Sequence, residues 1–231
     1  MLPPLLSESV VLEQRNDAGE LIHRTEFRDG APHGQMTHFS ASGKPAMQAS
    51  YIAGVLNGPM RLWDEKGKLV QEASYKAGVQ HGLTRVYAGG KLLSEQMFAN
   101  GSPDGDTTFY SEAGVPSCKM QFQSGQIEGE ALFMNEGSLV RRATYRKGLL
   151  EGETIDYDRE GAKIQAAAYK ANLLDGWLRR YWPNGQVMEE LRYSEGKPQG
   201  GPRRFSSKGA AQTEEASQAS LMERLEKLVR G

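Results

Sequence analysis

The chain has 231 residues, of which 27 are glycine, 38% are hydrophobic and 25% are charged, and its 28 basic and 29 acidic side chains leave a net charge of -1. With 38% hydrophobic residues and so many glycines no thick spherical core is expected, and near-neutrality argues against a nucleic-acid binder that works by phosphate neutralisation. The single cysteine, Cys118, excludes an internal disulfide and any multi-cysteine zinc site, and no stretch approaches the roughly 20 apolar residues that span a bilayer.

Residues 1–18 read as an N-terminal cap and first strand. Met1 to Leu6 lack the basic region and apolar core of a secretory signal. The expectation is therefore a cytoplasmic chain as it stands, and a periplasmic one if a leader has been trimmed.

From residue 19 to residue 209 the chain repeats itself. The aromatics Phe27, Tyr51, Tyr75, Phe98, Phe122, Tyr145, Tyr169 and Tyr193 recur every 23 or 24 residues. Three residues after each comes Gly30, Gly54, Gly78, Gly101, Gly125, Gly148, Asn172 or Gly196. Glycine tolerates positive φ and asparagine is the usual second choice, so this column marks left-handed turn positions. A second glycine column starts at Gly34, a second aromatic column at Phe39 and a third glycine column at Gly43. The segments between alternate in character with a period of two, as half-buried strands do. Each repeat is thus a strand, a turn and a strand, which makes the chain all-β, with about eight hairpins.

Columns assign faces. Ala49, Ala73, Met120, Ala143, Ala167 and Leu191 share a face with the aromatic two residues later, and that face is small and apolar. Arg24, Gln48, Glu72, Glu95, Lys119, Arg142 and Glu190 point oppositely and read as solvent. The first-strand column Thr37, Arg61, Arg85, Thr108, Leu132, Ile155, Arg179 and Arg203 is mixed, as at a rim or a working surface. Residues 210–231 differ in kind: Leu221, Met222, Leu225, Leu228 and Val229 fall at helical spacing. They predict an amphipathic C-terminal helix that caps the last hairpin.

The unit aromatic-x-x-Gly-x-x-x-Gly-x-x-x-x-aromatic-x-x-x-Gly resembles the MORN (membrane occupation and recognition nexus) repeat, and more closely its bacterial variant in antitoxin-like and immunity proteins. Tyr75 to Gly78 through Gly82 to Tyr87, Tyr145 to Gly148 through Gly152 to Tyr157, and Tyr181 to Gly185 carry the likeness. The resemblance implies an elongated, curved sheet of antiparallel hairpins whose partner is a cognate toxin, including effectors of type VI secretion. Compared with the eukaryotic repeat there is one more residue between the second glycine and the following aromatic. A structural or membrane-peripheral MORN scaffold, binding phospholipid or assembling partners, is the competing class.

Chemistry is sparse. His33 and His81 precede second-column glycines and read as turn residues, while His23 and His38 have no ligand at zinc spacing. Asp104 with Asp106, and Asp156 with Asp158, read as solvated acids. Cys118 lies in a strand with no histidine in neighbouring repeats to activate it. No nucleophile elbow, phosphate loop or dinucleotide fingerprint is present, so neither catalysis, a metal nor a cofactor is expected. Trp, Tyr and Arg dominate binding hot spots, and the expected partner-binding residues are Arg61, Arg85, Trp177, Arg179, Arg180, Trp182, Arg203 and Arg204. Trp63 sits in an aromatic core column.

Overall fold

The structure, a computed structural model, describes residues 8–212, and those residues form 22 strands and no helix. It divides into two units, Met1–Gln126 and Ile127–Gly231. In the first, antiparallel hairpins run from the strand Ser9–Arg15 to the strand Pro116–Gln123. In the second they run from Gly129–Asn135 to Arg203–Phe205, against which Ala211–Gln212 pairs. That last short strand occupies the start of the predicted C-terminal helix, and the helix itself, from residue 213 onward, lies outside the described residues.

The turn column folds as two-residue loops in which both residues have positive φ, for example Ala53 at 48° and Gly54 at 81°. Such loops match the twist of the strands they join. The residue before the glycine, which the repeat pattern leaves unassigned, is therefore left-handed as well. Each turn is tied to the previous repeat. The Gly78 amide donates to the Leu56 carbonyl at 2.7 Å in the first unit, and the Gly148 amide donates to Ile127 at 2.8 Å in the second. At Asn172 the side chain adds a bond that glycine cannot make: its Oδ1 accepts from the Leu150 amide at 2.7 Å. Stacked turns thus satisfy polar backbone that a separate hairpin would leave to water.

The second glycine column lies within strand irregularities. Around Gly176 the register runs from Ala167 opposite Leu178 to Tyr169 opposite Leu174, so Asp175, Gly176 and Trp177 together face the single residue Ala168. Gly176 has φ 120° and a Cβ there would stand 2.8 Å from the Ala168 Cβ, while its other neighbour across the ladder is the repeat aromatic Tyr193. Crowding, as well as the backbone angle, selects glycine. The third column closes the far end of the hairpins. Ser40 to Lys44 is typical: the Gly43 amide donates to Ser40 and the Ser40 amide to Lys44. The two 23-residue spacings arise where this loop shortens to a tight turn, at Gly89-Gly90 and at Glu136-Gly137, with φ positive at both residues of each pair.

The core is built mainly from one row on one face, with Thr37, Ile155 and Ala166 buried on the other. In the first unit it includes Thr25, Ala49, Ala73, Thr84 and Thr107, and in the second Ala131, Ala143, Thr154 and Ala167, all buried. Small side chains suffice because the repeat aromatics two residues away share this face.

Candidate functional site

Strand pairing turns the sequence columns into rows that run across the strands. On the face opposite the core, the first unit aligns Arg61, Glu72, Arg85 and Glu95 side by side. Arg61 Nη2 lies 2.8 Å from Glu72 Oε1, Arg85 Nη1 lies 3.6 Å from Glu72 Oε2, and Arg85 Nε donates to Glu95 Oε1 at 2.8 Å. The Tyr110 hydroxyl closes the row by donating to Glu95 Oε2 at 2.8 Å. Arg85, followed by Tyr110, holds the Glu95 carboxyl below the usual carboxylate range, and the same bonds raise the Arg85 and Tyr110 values. The expectation that Glu72 and Glu95 are simply solvated is thereby corrected: each is half-buried because a neighbouring arginine crosses it.

In the second unit the arginine pairs split between faces. Arg179 and Arg203 grip Glu190 at 3.1 and 3.2 Å, whereas Arg180 and Arg204 grip Glu189 at 3.7 and 3.0 Å. Adjacent strand residues point oppositely, so the four arginines make two Arg–Glu–Arg rows, one on each face. Glu190, expected in solvent, is buried to 9% exposure by its two arginines. Trp177 joins the Glu190 face, half-buried, with the Arg179 and Arg192 guanidinium carbons 5.4 and 6.0 Å from its ring. Trp182 stands apart at a loop, where its Nε1 donates to the Phe205 carbonyl at 3.0 Å. The expected partner-binding residues therefore do not form one cluster.

The residues expected to be chemically idle are largely structural. His33 Nδ1 accepts from the Ala53 turn amide at 3.4 Å, and Asp104 Oδ2 does the same for Ser124 at 3.0 Å. Asp106 accepts from Gln121, and Asp158 Oδ1 accepts from the Ala162 amide within its loop. His23 and His38 pair across the ladder with ring centroids 6.1 Å apart, and His23 bonds Thr25. Among the described residues no group of three or more His, Cys, Asp or Glu could hold a metal. Cys118 is 8% exposed, and burial pushes its thiol upward.

Asp156, expected to be a solvated acid, is the exception. It is 17% exposed at the side chain and takes a forked contact from Arg141, with Nε on Oδ1 at 2.5 Å and Nη2 on Oδ2 at 3.1 Å. That contact raises the Arg141 value further. The pair edges a cavity of about 440 Å³ in the second unit, walled by Phe133, Tyr145, Tyr157 and Tyr169. Thr154 and Ala143 from the buried row also line it. A cavity of this size lies within the ~300–1,000 Å³ of ligand sites. The available signal was a break in two columns: Arg141 stands where earlier repeats have Met47, Gln71, Ser94 and Cys118, and Asp156 is its cross-strand neighbour.

A family model described as "MORN repeat variant" matches residues 56–77 and 174–195. These two segments are similar to the MORN repeat variant. Each matched segment covers a turn, its glycine and the aromatic of one hairpin, and the remaining hairpins share the turn ladder, while the second glycine is crowded at Gly34, Gly58, Gly82, Gly105 and Gly176 but not at Gly129 or Gly200. No curated protein matches the chain. Among solved structures, the crystal structure of TcdB2-TccC3-Cdc42 aligns at 11% identity over 86% of this chain and 13% of that one, with a TM-score of 0.19. A protein of unknown function from Bacteroides fragilis NCTC 9343 aligns at 8% identity over 72% of this chain and 96% of that one, with a TM-score of 0.15. The chain thus spans about 13% of the length of the first of these. The chain is a repeat scaffold, and the matches to the MORN repeat variant point toward a role in binding.

Proposed function

We propose that the chain is a non-enzymatic protein-binding scaffold that serves as an immunity protein or antitoxin, capturing a cognate toxin or secreted effector and covering its active site. The observation that carries the protein-binding part is Trp177 on the Glu190 face, flanked by Arg179 and Arg192. Trp and Arg in a strand-held, ion-paired surface are the residue types that anchor interfaces. The strands keep these side chains in place before any partner arrives, which lowers the ordering cost of association. The assignment of the partner as a toxin rests on the likeness to the bacterial MORN variant.

The test is co-expression with the product of the adjacent gene. The expected result is a stable equimolar complex on size exclusion and protection of cells from that product. Trp177→Ala is expected to weaken the complex by about 2 kcal/mol or more, roughly 30-fold, if Trp177 is a hot spot. No complex and no protection would remove the immunity role. Salt-sensitive binding to anionic vesicles with no protein partner would instead place the chain among membrane-peripheral scaffolds.

A further inference from the structure

We infer that the cavity of the second unit is a receptor for a tyrosine side chain presented by a partner protein, with Asp156 accepting the phenolic proton. The inference rests on the protein-binding reading and names the contact it uses. Three observations converge. The walls Phe133, Tyr145, Tyr157 and Tyr169 present aromatic faces and edges that suit another ring. At one side stands Asp156, whose carboxylate is fixed by the Arg141 fork and approached by Gln165 Nε2 at 3.4 Å. A carboxylate has about four acceptor positions, so these donors leave capacity for one more.

The chain itself shows what fills such a position. In the first unit Arg85 holds Glu95 and the Tyr110 hydroxyl donates to the other carboxylate oxygen at 2.8 Å. Arg141 and Asp156 form an arginine–carboxylate pair of the same chemistry on the other face, the core face, and among the described residues no tyrosine hydroxyl donates to Asp156. The cavity adjoins this pair. The pair is formally neutral, which favours an uncharged phenol over a cation or a carboxylate.

The experiment uses the full chain and three probes: N-acetyl-tyrosinamide, N-acetyl-phenylalaninamide and the O-methyl ether of the tyrosine probe, titrated while the backbone amide signals of residues 140–170 are followed. The expected result is binding of the tyrosine probe about tenfold tighter than either other, since a hydrogen bond to a charged group is worth about that much. Asp156→Asn, which keeps the shape, is expected to shrink the preference several-fold. Ile164→Trp is expected to block all three probes while leaving the fold intact, because Ile164 is 45% exposed at the cavity and the change removes nothing from the core. Equal binding of the three probes, no binding at millimolar concentration, or binding unchanged in Ile164→Trp overturns the inference. A partner complex that Ile164→Trp leaves intact overturns it too, while leaving the scaffold reading standing; the absence of any partner complex with the unsubstituted chain would remove that reading instead.

Discussion

Gly176→Ala tests why glycine stands at the most crowded strand irregularity of the second unit. The backbone at φ 120° is a region L residues rarely occupy, which costs about 1–3 kcal/mol. The new Cβ would also stand 2.8 Å from the Ala168 Cβ, where ordinary contact begins at 3.4 Å. The two strands must therefore part by some tenths of an ångström, an overpacking cost of about 1–3 kcal/mol. The sum is roughly 2–6 kcal/mol, a large share of the ~5–15 kcal/mol that folds a typical domain. Gly185 has φ 81°, and a methyl group added there would meet nothing within 4 Å, so Gly185→Ala is expected to cost only the backbone part, about 1–2 kcal/mol. Urea unfolding of Gly176→Ala, Ala168→Gly and the double variant separates the terms. Removing the Ala168 methyl makes room, so the double variant is expected to be about 1–3 kcal/mol more stable than the sum of the single effects. Additivity within about 0.5 kcal/mol would show that crowding plays no part in choosing glycine.

Three further outcomes follow from the ion pairs and the cysteine. The folded Glu95 carboxyl titrates below its unfolded value, so its contribution is complete above the ordinary glutamate range near ~4.3 and is lost as pH falls through the folded value. Urea midpoints of the wild type and Glu95→Gln should therefore differ by a constant amount from pH 6 to 8 and converge toward pH 3; a pH-independent gap contradicts this. Glu190→Gln should destabilise by about 1–2 kcal/mol, because the residue is buried but its arginines keep partial hydration. Glu136→Gln, at a pair 81% and 76% exposed, should fall within about 0.5 kcal/mol, and equal losses at the two sites would refute the burial argument. Cys118, with its thiol pushed upward and covered, should react with a disulfide reagent at pH 8 at least about tenfold slower in the native protein than in denaturant; prompt native labelling would mean the strand opens.

The sequence by itself determined the repeat, its strand–turn–strand unit and the left-handed glycine column, because local backbone geometry dictates all three. It also identified the small apolar face, since Ala49, Ala73, Ala143 and Ala167 recur two residues before an aromatic and are all buried. It could not determine which residues meet across strands, because register is a relation between segments about a dozen residues apart. For that reason Glu190 read as solvated until the ladder placed Arg179 and Arg203 on either side of it. For the same reason Arg179, Arg180, Arg203 and Arg204 were expected together among the partner-binding residues, whereas strand alternation sends the members of each adjacent pair to opposite faces. The cavity was the least legible feature: Arg141, Asp156 and the four aromatics are ordinary in their own segments. Only the pairing of Arg141 with Asp156 across the sheet brings charge and aromatic rings to one place. Local chemistry wrote the repeat, and cross-strand register decided what stands beside what.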